Sequence, residues 1–201
     1  IFIDDDTWAT PGWLLSIAKA FNEHPYCAAI SGPCPIPRSH AGNRDLFRFR
    51  NIKQIYDFLF LCGQSHLPGH FTEWGAWTTG ASLESCSYEG EVQFLEACNM
   101  AFHKEVFWQV GGFDESYGGI GDWSEPDLSY RIRERGYKLW FAKGACLYHE
   151  PSKSGAFLKR KRDSRNRMEN YLRFSKKWIS PCWRHSVYKA FMKTYYALKG
   201  S

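Results

Sequence analysis

Three adjacent aspartates, Asp4, Asp5 and Asp6, are the residues whose types and spacing most directly suggest chemistry. They follow Ile1-Phe2-Ile3, an apolar run that predicts a buried strand reaching the edge of its sheet. An extended backbone points Asp4 and Asp6 to one side and Asp5 to the other. Because adjacent carboxylates repel one another, a hard cation such as Mg²⁺ or Mn²⁺ would stabilise them, with substrate phosphates as further ligands. A solvated acidic turn that caps the next helix explains the same residues equally well.

The segments that must position these residues alternate between helix and strand patterns. Thr10 and Pro11 predict the cap and first position of a helix whose apolar face runs to Phe21. Further helices are predicted over 43–62, over 104–110, from Ser124, as its cap, to Gly136, and in the tail on either side of Pro181. Strands are predicted over 26–31, 92–95, 100–102, 139–141 and 146–148. This alternation indicates an α/β sheet, in which ligands bind beyond the carboxyl ends of strands.

The composition indicates one folded domain with a hydrophobic core. The chain has 201 residues, of which 44% are hydrophobic and 17% aromatic, and this argues against disorder. Its longest apolar run, over 58–62, is too short to cross a membrane. The seven cysteines form no C-x-x-C pair and no zinc-type spacing, so we expect thiols in a reducing compartment and neither a redox nor a zinc function. We interpret His66 and His70 as surface residues.

The charge is unevenly distributed along the chain. Residues 1–150 carry 12 Lys or Arg against 19 Asp or Glu, whereas residues 151–201 carry 14 against 2. We therefore divide the chain into a body, 1–152, and a basic, aromatic-rich helical tail, 153–201. Basic residues interleaved with aromatics suit an anionic membrane surface, although a solvated helix face is the usual explanation of a charge run. The acidic body makes nucleic acid a poor fit.

Five motifs in sequence order resemble those of the family-2 glycosyltransferases, which have the GT-A fold. They are Phe2–Thr7, similar to the family's metal-binding D-x-D, then Ala97–Phe102, Val110–Glu115, Ser124–Arg131 followed by Gly136-Tyr137, and Leu147–His149. Each motif alone is weak, but the order and spacing match over residues 1–150. The resemblance implies a Rossmann-like GT-A fold that lacks its N-terminal part, which in the family holds the nucleotide base and ribose. Since the chain also begins at Ile1 without Met, we expect a fragment that binds donor weakly alone.

The activity implied by the resemblance is inverting, metal-dependent transfer of a hexosyl group. The donor would be a nucleotide-sugar and the acceptor a hydroxyl of a saccharide or of a lipid-linked sugar, in the synthesis of cell-surface polysaccharide. Such transfer needs a cation to neutralise the leaving diphosphate and a base to take the acceptor's proton. We expect the protein to be cytoplasmic and peripheral at the inner face of the plasma membrane.

The resemblance also assigns roles to individual residues. Asp4, Asp6 and His149 would hold Mn²⁺ or Mg²⁺, and Glu125 would be the base, since a helix N-terminus favours its ionised form. The family usually reads Glu-Asp-x-Asp-Leu where this chain reads Ser124-Glu125-Pro126-Asp127-Leu128, so Asp122 is a second candidate for the base. The residues predicted to contact donor or acceptor are Asp4, Asp5, Asn99, Trp123 and Asp127. We expect Asp4, Asp6, Glu125 and His149 to line one cleft.

Simpler explanations exist for these residues. Glu125 would support only the first helical turn, His149 would cap a strand, and Trp74, Trp77 and Trp123 would be buried packing rather than platforms for sugar. At the level of the whole chain, the alternatives are a nucleotidyltransferase and a non-catalytic carbohydrate-binding relative of the fold. The first is disfavoured because no Gly-rich phosphate loop with a partner Lys is present.

Overall fold

The computed structural model of the chain describes residues 1–35, 54–78, 80, 86–150 and 163–200. Its larger sheet has five strands in the order β1-β5-β3-β6-β4. These strands are β1 (Phe2–Ile3), β3 (Cys27–Ser31), β4 (Gly90–Val92), β5 (Asn99–Phe102) and β6 (Lys138–Phe141). Strands β3 and β6 are parallel, and the other three pairings are antiparallel. The predicted α/β class is confirmed as a mixed sheet packed with helices.

A separate two-stranded ribbon connects distant parts of the chain. Strand β2 (Thr7–Ala9) pairs antiparallel with β7 (Leu147–His149), and Thr7 lies opposite His149. The ribbon continues beyond its last pair, because the Glu150 amide donates to the Asp6 carbonyl at 3.0 Å. The ribbon therefore places the acidic segment before β2 next to the residues at the end of β7.

Five α-helices and one π-helical segment complete the described part of the chain. The helices are α1 (Trp13–Glu23), α2 (Lys104–Gln109), α3 (Ser124–Glu134), α4 (Ser164–Trp178) and α5 (Trp183–Gly200), and the π-helical segment is Asp57–Leu61. Helix α1 buries Ile17 and Ala20 against β3, and Phe21 is partly buried beside them. Leu14 and Ala18, which helical spacing placed on the same apolar face, are exposed. Helices α2 and α3 cover the sheet with Val106, Phe107, Leu128 and Ile132.

The tail shares its core with the body. Tyr171, Phe174 and Tyr188 are fully buried. They belong to one cluster that also contains Phe71 and Trp123 from the body. Because this cluster is aromatic and continuous, α4 and α5 complete the core of the preceding chain. The prediction of two tail helices on either side of Pro181 is confirmed.

Three local predictions differ from the structure. The strand at Ile1–Ile3 is exposed rather than buried, with Phe2 40% and Ile3 51% accessible, because β1 lies at the edge of the described sheet and, among the described strands, pairs only with β5. The predicted strand over 92–95 ends at Val92, and the amides of Gln93 and Phe94 instead donate to the Gly69 carbonyl. The predicted helix over 43–62 lies mostly outside the described residues, and its described end is a π-helix.

The two predicted helix caps also differ from the structure. Helix α1 begins after Gly12, which has a φ of 82°, while the Thr10 hydroxyl donates to the Cys146 carbonyl. Helix α3 begins after Trp123, which has a φ of 81°, and no side chain caps it. In both places a left-handed residue turns the chain into the helix, so Thr10 and Ser124 are not caps.

Of the helices described, none combines the length and apolarity that crossing a membrane requires.

Candidate functional site

Asp4, Asp6 and His149 lie together at the end of the β2–β7 ribbon. His149 Nε2 is 2.9 Å from Asp6 Oδ1 and 3.7 Å from Asp4 Oδ2. The imidazole is buried, whereas 42% of the Asp4 side chain and 24% of the Asp6 side chain are accessible. The cluster therefore has a buried imidazole on one side and carboxylates open to solvent on the other.

Backbone hydrogen bonds fix the position of each member of this cluster. The Thr7 hydroxyl donates to the Asp4 carbonyl at 2.7 Å, and the Glu150 amide donates to the Asp6 carbonyl. The amide of His149 donates to the Pro35 carbonyl at 3.1 Å. The ligand atoms are thus carried by backbone segments that are themselves held in place.

The donor set fits a divalent cation. One ligand atom from each of Asp4, Asp6 and His149 lies within 4.8 Å of the other two. Carboxylate oxygens suit Mg²⁺ and Mn²⁺, and an imidazole added to them favours a transition metal. Asp5 is exposed, consistent with the predicted alternation along this segment. The three residues predicted as metal ligands are therefore neighbours in the fold, and metal binding itself stays a prediction.

Asn99 is buried at the start of β5 and holds three segments together. Its amide nitrogen donates to the Ala145 carbonyl at 2.7 Å, and its amide oxygen accepts from Trp13 Nε1 at 3.1 Å. These bonds join β5, the start of α1 and the loop before β7. The observed contacts of Asn99 are structural, and its predicted contact with donor or acceptor stays a prediction.

Asp127 is fully buried and joins α3 to α4. Its Oδ1 accepts from Lys177 Nζ at 2.8 Å and Trp178 Nε1 at 2.7 Å, and its Oδ2 accepts from Arg131 Nε at 2.8 Å. Burial disfavours the charged form, but the hydrogen bonds from Lys177, Trp178 and Arg131 outweigh it and lower the pKa of Asp127 below its usual value. Asp127 thus connects the body to the tail, and its predicted ligand contact is untested.

The two candidate bases lie on either side of the start of α3. Asp122 forms an ion pair with Arg167 of α4, and only 18% of each side chain is accessible. Burial of the Arg167 guanidinium disfavours its charge, but the nearby Asp122 carboxylate outweighs this and raises the pKa of Arg167. Glu125 is partly buried in the first turn of α3. The ion pair gives Asp122 an observed structural contact, and the role of Glu125 or Asp122 as the base stays a prediction.

Trp123 is buried and packs within the aromatic core. Its ring lies 5.0 Å from Trp77 and 5.0 Å from Phe174, measured between ring centroids. Trp74 is also buried, and its Nε1 donates to the Phe60 carbonyl at 3.0 Å. These rings pack against protein, and stacking of Trp123 on a sugar stays a prediction.

A cavity of about 410 Å³ lies where α3, the end of α4 and the segment around Phe71 meet. Its lining residues are Phe71, Thr72, Glu73, Gln93, Tyr130, Trp178, Ile179, Ser180 and Cys182. Its lining combines aromatic rings with carboxylate, amide and hydroxyl groups. Sequence patterns did not reveal this cavity, because its walls come from parts of the chain that are far apart.

The comparisons with known proteins give a distant similarity to a glycosyltransferase. No protein-family model matches the chain. The glucosyl-dolichyl phosphate glucuronosyltransferase of Haloferax volcanii is 24% identical over 154 residues, which cover 74% of this chain and 41% of that protein. The chain therefore spans less than half the length of this relative. The similarity supports a glycosyltransferase relationship.

Proposed function

We propose that this chain is the part of an inverting, family-2 glycosyltransferase of GT-A fold that holds the metal and the base. The observation that carries the proposal is the cluster of Asp4, Asp6 and His149, because two carboxylates and an imidazole from distant parts of the chain are within reach of one cation. The similarity to a glycosyltransferase supports the reaction class. The family and the inverting course rest on the resemblance of the five motifs.

In this proposal, Asp4, Asp6 and His149 hold Mn²⁺ or Mg²⁺. The bound cation supplies positive charge that stabilises the leaving nucleoside diphosphate. The open side of the cluster is the carboxylate side, so the donor's phosphates reach the cation from there. Burial of His149 keeps its ring oriented toward both aspartates, with Asp6 at 2.9 Å.

Glu125 accepts the proton of the acceptor hydroxyl in the proposed reaction. It lies in the first turn of α3, where the helix dipole favours the carboxylate over the carboxylic acid. The acceptor oxygen then attacks the anomeric carbon as the bond to the diphosphate breaks, which inverts the configuration. Asp122 serves instead to bind Arg167, because it forms an ion pair with that residue.

The acceptor in this proposal is a sugar carried on a lipid phosphate. The name of the relative specifies a dolichyl-phosphate-linked sugar, and this supports the lipid-linked alternative over a free saccharide. Such an acceptor lies at a membrane surface, which agrees with a peripheral location and with the basic tail. The donor is a nucleotide-sugar, as the proposed role of the cation requires.

The test of this proposal measures Mn²⁺ binding and turnover in the intact protein. Mn²⁺ binding is followed by electron paramagnetic resonance, and turnover by release of nucleoside diphosphate from UDP-, GDP- and dTDP-sugars. We expect Asp6→Asn to lose both Mn²⁺ binding and turnover. Glu125→Gln should lower kcat by about 100-fold or more while Mn²⁺ binding is unchanged, because a general base acts in the transition state.

The matched control is Glu134→Gln, which removes an exposed carboxylate at the other end of α3. It should behave as the wild type in both assays. Wild-type turnover in Glu125→Gln would show that the base lies elsewhere. Unchanged Mn²⁺ binding in Asp6→Asn would remove the metal site and the proposal with it.

A further inference from the structure

A second group of potential metal ligands shares His149 with the aspartate cluster. Cys34, Cys98 and His149 each place one ligand atom within 4.8 Å of the other two. All three residues are buried, with 1%, 5% and 5% of their surfaces accessible. Two thiols and an imidazole are ligands preferred by thiophilic cations such as Zn²⁺, and they differ in kind from the oxygen ligands of Asp4 and Asp6.

The backbone around these three residues is held by hydrogen bonds between segments. Cys34 lies between Pro33, whose carbonyl accepts from the Leu147 amide at 2.9 Å, and Pro35, whose carbonyl accepts from the His149 amide. Cys98 directly precedes Asn99, which is bonded to the Ala145 carbonyl. The cysteines also pack with Leu147 in one small core. The fold therefore brings both thiols to His149 without a local Cys/His motif.

We infer that Cys34, Cys98 and His149 form a binding site for a thiophilic cation, of which Zn²⁺ is the natural example. On binding, the two thiols release two protons and coordinate as thiolates, and the imidazole coordinates through one ring nitrogen. With Zn–S bonds of about 2.3 Å, sulfurs of a tetrahedral site lie roughly 3.8 Å apart. Ligand atoms within 4.8 Å of one another reach that arrangement by small side-chain movements.

The contact between His149 and Asp6 orients the imidazole ring of the proposed site. Metal-bound histidines commonly donate their other ring N–H to a carboxylate, which fixes the tautomer and orients the ring. Here Nε2 faces Asp6 Oδ1 at 2.9 Å, so Nδ1 is the nitrogen that a cation at the two thiols would take. In that state Nε2 carries a proton.

This tautomer makes the two sites compete for His149. A protonated Nε2 donates to Asp6 and cannot bind a cation held by Asp4 and Asp6. Occupation of the thiol site therefore removes the imidazole from the oxygen site. Zinc binding itself does not depend on the proposed Mn²⁺ site, whereas this coupling does. The coupling predicts that thiophilic cations inhibit the metal-dependent reaction.

The first test is metal binding to the intact, reduced, metal-free protein. Titration with Co²⁺ should produce the near-ultraviolet charge-transfer band of a cobalt thiolate, and Zn²⁺ should abolish it. Cys34→Ser and Cys98→Ser should each lose the band, while Cys62→Ser, which changes an exposed cysteine, should keep it. Absence of the band in the wild type, or its persistence in either Cys34→Ser or Cys98→Ser, overturns the inference.

A measurement on the wild type tests the site even if the cysteine variants fail to fold. X-ray absorption at the zinc edge of the protein with one equivalent of Zn²⁺ should show two sulfur ligands and at least one imidazole. A first shell of only nitrogen and oxygen overturns the site.

The second test measures the coupling by Mn²⁺ binding with and without one equivalent of Zn²⁺. Zn²⁺ should weaken Mn²⁺ binding by about tenfold or more in the wild type and have little effect in Cys34→Ser. Equal Mn²⁺ affinity with and without Zn²⁺ overturns the competition. If Mn²⁺ does not bind even without Zn²⁺, the proposed function loses its metal site, whereas the cobalt and X-ray results still decide the thiol site.

Discussion

Two aspartates near the start of α3 each pair with a cation from α4. Asp122 pairs with Arg167, and Asp127 with Lys177 as well as with Arg131 of its own helix. Asp127 has no accessible surface, so its charge is stable only because several donors surround it. Asp127, which lies in the motif Ser124–Arg131 that resembles the glycosyltransferases, therefore also attaches the tail to the body.

The first prediction concerns the stability that Asp127 provides. Asp127→Asn leaves Lys177 and Arg131 without their carboxylate. We expect it to lower the free energy of unfolding by about 3 kcal/mol. This is the lower end of the range for breaking a buried ion pair, because Lys177 is partly accessible. Urea unfolding at pH 7 measures this loss. Glu134→Gln, an exposed change on the same helix, should alter the stability little.

The pH dependence of the Asp127 contribution has a definite sign. The pKa of Asp127 is lower in the folded protein than in the unfolded chain, so the folded state favours the carboxylate. The resulting stability is present above the unfolded pKa of about 4 and is lost as the pH falls from there through the folded pKa. Stabilities of wild type and Asp127→Asn that differ equally at pH 7 and pH 3 would contradict this explanation.

At the residue scale, the sequence predicted that Asp4, Asp6 and His149 would lie together. It did not predict which basic residues would pair with Asp122 and Asp127. Asp4, Asp6 and His149 could be grouped because a strand end and a familiar motif order indicated them. Lys177 lies fifty residues beyond Asp127, and Arg167 lies forty-five beyond Asp122. Contacts of such separation depend on how α4 packs, and no local pattern encodes them. The same holds for Cys34 and Cys98, which approach His149 only through the fold.

At the scale of elements, α4 contacts both the start of α3 and the glycine-rich loop that precedes it, residues 118–121. Asn170 bonds to the amide and the carbonyl of Gly118, and Asp163 accepts from the Ile120 amide at 3.0 Å. Periodicity predicted where most helices lie, yet α1 and α3 begin at left-handed Gly12 and Trp123 rather than at polar caps. A left-handed conformation is uncommon for tryptophan, and at Trp123 it is stabilised by the aromatic core that holds the ring.

The second prediction tests whether the tail and the body unfold together. Phe174 of α4 is fully buried, and its ring lies 5.3 Å from Phe71 and 5.4 Å from Tyr130. Phe174→Ala should cost about 3–5 kcal/mol, because it removes a large apolar side chain and leaves a cavity. Since the core is shared, thermal unfolding should remain one transition that moves to lower temperature.

The matched control for this prediction is Trp183→Ala, which removes a ring that is 72% accessible at the start of α5. It should change the stability by less than about 1 kcal/mol. Two separate transitions, only one of which shifts in Phe174→Ala, would indicate a tail that folds independently of the body.

At the scale of the whole molecule, positive charge and accessible apolar surface occur close together. Helix α5 carries Arg184, Lys189 and Lys193 and no acidic residue. The π-helical segment and the preceding Tyr56 pack on α5, through contacts of Tyr56 with Tyr188 and of Phe60 with Phe191. Beside these buried contacts, Phe58 is 79% and Leu59 is 56% accessible. A surface with both features suits the interface of an anionic membrane, where each Lys or Arg contributes about 1 kcal/mol.

The last prediction is salt-sensitive binding of the intact protein to vesicles rich in phosphatidylglycerol, measured by co-sedimentation. The shared core rules out truncation of the tail as a test, because removing α4 and α5 would expose the aromatic cluster. Neutralising Lys159–Arg162, which lies outside the described residues, changes the charge without altering any residue of the described aromatic cluster. We expect this variant to bind at least about tenfold more weakly, since four basic residues are removed.

The control for the vesicle experiment removes the same number of positive charges from the body, through glutamine substitutions at Lys19, Lys104, Lys138 and Lys143. Three of these lysines form surface ion pairs, with Glu23, Glu91 and Glu89, whose loss should cost little stability. If binding depends on net charge alone, both variants weaken it equally. If the tail directs the protein to the membrane, only the Lys159–Arg162 variant does, and raising the salt concentration abolishes the difference. Binding that is absent at low salt, or equally weakened in both variants, would count against a membrane role for the tail.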